Sequence, residues 1–301
     1  MRLPVTLVAV IRLDAATVLL QWSTGGMAFC WVTTRHRLVG LGYGWLLRAI
    51  YLVLASGAAL VGFRYGSIPV REAASLLTAA TCGVGLTVSV IRRDAGVRGA
   101  NAEHARRSAR VAAMTGISRE PSPQQVAASD GAAEFPPMLD LLPAVVGAIG
   151  LIAAALDAAP GGDGDALIAV LRTLVGAAFL GCVTDAMLLG HWYLVQPGLP
   201  RRLLNELVTL LGWIWPLEIA VLLLPTGMLS VWSGAVDDGW NGTLGWFWGA
   251  CAITTIVLVV VTREALKERQ YSAVMAATGL LYLAILTAFG TDLVARAVLA
   301  S

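Results

Sequence analysis

The chain has 301 residues, 57% of them hydrophobic and 13% charged, with a mean hydropathy of +0.75. A soluble protein carries about 25% charged residues, so the pair of soluble domains that length alone would suggest is excluded. A net charge of +2 offers nothing that suggests nucleic acid as a partner.

Eight apolar runs follow in chain order. The first is expected over Val5–Val32, with Arg12 and Asp14 near the membrane interface. Its opening, Leu3 to Ile11, is broken by these two charges and has no small-residue cleavage site, so it reads as the start of a span, not as a signal peptide. The next three are Gly44–Phe63, Val70–Ile91 and Met138–Ala158. Two longer runs, Ala166–Val195 and Leu203–Leu224, flank the short turn QPGLPRR and predict an antiparallel helix pair. Leu244–Val261 and Tyr271–Phe289 complete the set. A bilayer span needs ~20 residues. The runs are continuous and do not alternate, and continuous runs satisfy their own backbone in lipid only as helices. The fold class expected is therefore an all-α polytopic transmembrane helix bundle. Residues 1–91 hold spans one to three, 92–137 a linker and 138–301 spans four to eight.

Arg and Lys placement sets the orientation. Arg35, Arg37, Arg92, Arg93, Arg98, Arg106, Arg107, Arg110, Arg119, Arg201, Arg202, Arg263, Lys267 and Arg269 fall in one set of connections. The other set, with the termini, holds Arg2, Arg64, Arg71 and Arg296. The first set is assigned to the cytoplasm, which puts both termini outside. Lys267 is the single lysine. With the abundance of Ala, Gly and Val, this points to a GC-rich bacterial genome and hence to the inner membrane. In the cytoplasmic linker, AEHARRSARVAAMTG reads as a short basic helix suited to an anionic leaflet. The segment REPSPQQVAASDGAAEFPP has little to bury and reads as disordered. Spans one to four and five to eight share orientation and an opening of long span, basic turn and returning span. That leaves open a parallel duplication of the kind found in transporters.

Cys30, Cys82, Cys182 and Cys251 fall in different spans and form no CxxC pair. They indicate neither a disulfide framework nor a zinc site.

Ionisable side chains at mid-span cost roughly 2.5–3.5 kcal/mol for Asp or Arg, so their positions direct the functional reading. Asp185 follows Ala177 and Gly181 at intervals of four. These small residues let a neighbouring helix approach and turn Asp185 into the bundle. It is a candidate proton or cation site, or a protonated carboxyl joining two helices. His191 and Glu206 flank the turn and are expected at similar depth as a His–carboxylate pair; alternatively His191, Trp192 and Tyr193 form an interfacial aromatic belt. Glu218 follows Pro216, whose missing N–H should kink its helix near Gly212, and Arg172 is placed to neutralise it, unless it snorkels outward. Asp185, His191, Glu206, Glu218 and Arg172 are therefore the ligand- or proton-binding candidates.

No cofactor and no metal site is predicted. The one pair of axial ligands available for a b-type haem is His36 with His191. Walker A, GxSxG, HExxH and Rossmann motifs are absent, so the reading leans away from an enzyme. The leading expectation is a transporter or permease-like component with a protonatable site on spans five and six. The rival is a membrane subunit of a redox assembly that touches quinone or haem or scaffolds its partners. Partners expected are the lipid bilayer and either other membrane subunits or a second copy of the chain.

Overall fold

The structure, a computed structural model, describes residues 14–115, 133–159, 163–196, 198–268 and 270–299. Ten helices run through them: α1 Ala15–Thr34, α2 Leu41–Tyr65, α3 Pro69–Ile91, α4 Arg98–Thr115, α5 Leu141–Ala158, α6 Asp163–Val195, α7 Arg202–Leu223, α8 Gly227–Trp232, α9 Thr243–Ala265 and α10 Tyr271–Leu299. Short 3-10 turns at Arg93–Ala95 and Pro137–Asp140 precede α4 and α5. No strand occurs among the described residues.

Seven of these segments, beginning at Leu41, Pro69, Pro137, Gly164, Arg202, Thr243 and Tyr271, are long and apolar enough to cross a membrane. Their outward faces carry exposed Leu60, Phe63, Leu76, Ile149, Trp213, Ile253 and Leu286. A continuous apolar coat of this kind suits lipid and not water.

Helix α1 departs from this pattern, and its position explains why. It carries Thr17, Gln21, Ser23, Thr24 and Thr33, all buried, and it packs against α2, α5 and α6. A helix enclosed by other helices need not be apolar toward lipid; it must satisfy its polar groups internally. Ser23 accordingly donates to the Tyr51 carbonyl at 2.8 Å, and Thr33 to that of Cys30 at 2.8 Å. The first span, expected over Val5–Val32, is described as a helix only from Ala15, with Asp14 as its N-cap; Arg12 lies outside the described residues. The last helix runs ten residues past the expected end at Phe289. Thr291, Asp292 and Ala295 in this extension are buried against the bundle, so the packing replaces the apolar run that the sequence lacks there.

The long helices form two rings of four in the same cyclic order. In one, α1 packs on α2, α2 on α3, α3 on α5, and α5 on α1; in the other, α6 packs on α7, α7 on α9, α9 on α10, and α10 on α6. The rings meet chiefly where α1 lies along α6. The two helices are parallel, because Gln21 lies near Gly176, Gly25 near Gly181, and Gly40 near Gln196. A methyl on Gly25 would overlap the backbone of Ala177, and one on Gly181 would overlap that of Gly25. Glycine at both positions is what permits this approach.

The basic stretch after Arg92 is helical as α4, and α4 packs closely on none of the long helices. Most of the segment expected to be disordered lies outside the described residues. Its far end, Glu134 to Pro136, is ordered against the bundle through Arg37 and Arg92. The four cysteines are buried with free thiols.

Candidate functional site

Buried polar groups line α1 from one end of the bundle to the other. At the end that carries Asp14, Arg71 is almost wholly buried. It donates to Asp14, to Thr17 Oγ1 at 3.2 Å and to Glu72 Oε1 at 2.6 Å and 3.0 Å. Beside it opens a cavity of about 430 Å³ between the two rings, walled by α1, α5, α6 and α10 and the end of α7. Asp14, Asp165, Arg172 and Arg296 bring charge to an otherwise apolar lining of Val18, Ala154, Ile168 and Leu222.

Below the cavity, about 10 Å along α1 from Asp14 at 1.5 Å per residue, four helices contribute to one cluster. Gln21 donates to Asp292 at 3.4 Å, Asp292 accepts from Arg296 at 2.8 Å and 2.9 Å, and Arg296 donates to the Arg172 carbonyl at 3.0 Å. Gly176 supplies the room; a methyl there would collide with Gln21, Asp292 and Arg296 together. Glu218 sits beside Asp292, Arg296 and Arg172. It is fully buried, and its carboxyl faces that of Asp292, a contact that becomes a hydrogen bond once one of the two carries a proton.

Arg172 stands beside Glu218, as expected from sequence, but forms no ion pair with it among the described residues. Its guanidinium donates to the carbonyl of Val221 at 2.9 Å and to that of Leu224. These carbonyls end α7, where no following turn can use them, and so they claim the donors. Helix α7 itself continues through Pro216.

At the next level lies Asp185, buried at 0% exposure. Its Oδ1 accepts from the Tyr51 hydroxyl, its Oδ2 has no partner among the described residues, and Tyr43 donates to its backbone carbonyl at 3.5 Å. Trp22 donates to Thr184 at 3.0 Å on the same face. Deeper still, Arg48 forms a two-point ion pair with Asp140 at 2.6 Å and 2.8 Å, and Thr34 adds a 2.9 Å hydrogen bond to the carboxylate. Phe135 covers the guanidinium, with Arg48 Cζ 4.0 Å from its ring centroid. This layer closes the α4 end of the first ring.

The expected His191–Glu206 pair does not form. Glu206 pairs with Arg35 and with His36 Nε2 at 2.8 Å, whereas His191 is exposed and its Nδ1 lies 3.4 Å from the Tyr282 hydroxyl. The reason is that α1, not α6, delivers its basic end to the start of α7. His36 and His191, considered as haem ligands, thus have separate partners.

Sequence reasoning passed over Gln21, Arg48, Tyr51, Asp140, Asp292 and Arg296. A signal was present for Arg48, a charge inside an apolar run. It was absent for Gln21 and Tyr51, whose importance comes only from what they face. No protein-family model, curated protein or solved structure matches this chain.

Proposed function

We propose that the chain is a multi-pass membrane carrier with eight spans, α1 being the enclosed one, and that its two four-helix rings move against each other to expose a central site to either side. The observation that carries this reading is the cavity between the rings. It is open at the Asp14 end and reaches Arg172 and Arg296 of the buried cluster, and the Arg48–Asp140 ion pair lies toward the opposite end of the bundle. A polar path closed at one end is what alternating access requires. The lopsided Arg distribution supports placing the open end outside and α4 in the cytoplasm of a bacterial cell. Glu218, whose carboxyl faces that of Asp292, and Asp185, whose Oδ2 has no partner among the described residues, act as the sites that take up and release a proton during the cycle.

Thiol accessibility in sealed vesicles of both orientations tests this. Ala169→Cys, in the cavity wall, is expected to react with a membrane-impermeant reagent from the outer side. Native Cys82, buried near Arg48 and Asp140, is expected to stay unreactive until Asp140→Asn loosens the inner layer and then to react from the cytoplasmic side, while Ala169→Cys becomes protected. Unchanged reactivity at both positions in the variant would make the bundle a fixed scaffold and overturn the reading.

A further inference from the structure

Among the described residues, one cation in the cavity lining has no ion-pair partner. Arg71 lies between two carboxylates, Asp14 and Glu72, and Arg296 pairs with Asp292. Arg172 forms no ion pair among the described residues. Its donors Nε and Nη2 go to the neutral carbonyls of Val221 and Leu224. A guanidinium carries five N–H donors, so the Nη1 edge remains for a ligand. The one other charge without an ion pair in the lining is Asp165, which is exposed at the rim. Water and salt screen a rim carboxylate, whereas a half-buried guanidinium acts through a lower dielectric. At depth, the free edge of Arg172 is therefore the group able to take an anion. Above Arg172 the wall is aliphatic, with Ile168, Ala154, Ala158 and Leu222, and it suits an apolar body. A volume of about 430 Å³ lies within the range of pockets that enclose small ligands, about 300–1,000 Å³.

We propose that this cavity binds a monoanionic head group, a carboxylate or a phosphodiester, joined to an apolar body, with the charge on Arg172. This deepens the carrier reading and rests on it for the direction of access. Glu218 is the carboxyl nearest to competing for Arg172; it also faces Asp292 and Arg296 of α10. The head group comes either from a dissolved organic acid or from an acidic lipid, and both present the same chemistry to Arg172.

Binding is measured on the purified full chain in detergent, which requires no transport. The probes are hexanoate, hexylammonium and phosphatidylglycerol, read by calorimetry for the first two and by native mass spectrometry for the lipid. Hexanoate or phosphatidylglycerol is expected to bind, and whichever does identifies the source; hexylammonium is not. Arg172→Gln is expected to weaken anion binding at least tenfold, and Arg172→Lys, which keeps the charge, to weaken it less. Hexylammonium binding as tightly as hexanoate, equal binding by Arg172→Gln, or failure of both anions to bind would overturn the proposal. The charge series on the unaltered protein decides the matter even where a variant fails to fold. Anion binding together with unchanged thiol accessibility would leave this inference standing and remove the carrier.

Discussion

Tyr51 of α2 donates its hydroxyl hydrogen bond to Asp185 of α6 across the intervening α1, at a point where α1 has no side chain. A methyl on Gly26 would fall on the Tyr51 ring. The hydrogen bond therefore joins the two rings through the helix at their centre. Asp185→Asn keeps an acceptor of the same size, so its cost is expected to be near the ~0.6 kcal/mol average for interhelical hydrogen bonds in membranes. Asp185→Leu leaves the Tyr51 hydroxyl buried without a partner and should cost about 1–3 kcal/mol. Thermal unfolding in detergent compares the two. If Asp185 also handles a proton, the Asn variant folds but loses uptake; full uptake by that variant would leave the residue a purely structural role.

The contact between α1 and α6 makes a sharper stability prediction. Gly25→Ala and Gly181→Ala each drive a methyl into backbone, which cannot swing aside, so each is expected to cost about 1–3 kcal/mol or more. Gly279 of α10 faces open space. Gly279→Ala should be neutral or stabilising by up to ~1 kcal/mol, the helix-propensity difference. Equal melting temperatures for the three variants would contradict the packing described.

Arg48 and Asp140 are buried together, and neither can be removed cleanly alone. Asp140→Asn or Arg48→Met should each cost about 3–5 kcal/mol because the partner charge is left stranded. The double replacement Arg48→Met with Asp140→Leu should recover most of that loss. A double-mutant cycle with no coupling would show that the pair is not the closure of the α4 end.

Most of the helices could be read from the sequence, because an apolar run of span length has few alternatives in lipid. The arrangement of polar partners could not. Each of Asp185, Glu206 and Glu218 is visible as a charge in an apolar run, yet its partner is set by which helices are neighbours. Tyr51, Arg35 and Asp292 are far from them in sequence. The central position of α1 was hidden for the same reason: its Gln, Ser, Thr and Gly content makes it look like a poor span when it is an enclosed one. Asp292 and Arg296 fell beyond the expected end of the last span because the apolar run weakens there while the helix continues.

Outside the helical spans, Asp238 organises the loop between α8 and α9. Its carboxylate accepts from the backbone N–H groups of Trp240, Gly242 and Leu244 at 2.8–2.9 Å. Burial pushes this carboxyl up, but the backbone donors, chiefly Gly242 and Trp240, outweigh it and hold it below the usual carboxylate range. The folded state thus holds that proton more weakly than the unfolded chain. The stabilisation is present above the unfolded value of about 3.9 and is lost as pH falls through the folded one. Asp238→Ala is expected to cost about 1 kcal/mol locally, roughly fivefold in amide protection. Hydrogen exchange at Gly242 and Leu244 checks this, and protection unchanged in the variant would contradict it.

The carrier proposal requires the two rings to move against each other. Spin labels at Ala158→Cys and Leu299→Cys, both in the cavity lining, report the width of its mouth by pulsed electron paramagnetic resonance in lipid bilayers, with the native cysteines replaced. A wide mouth is expected in the parent protein, with a second, shorter distance that gains population when Asp140→Asn weakens the opposite end. A single distance distribution, identical in parent and variant, would contradict it.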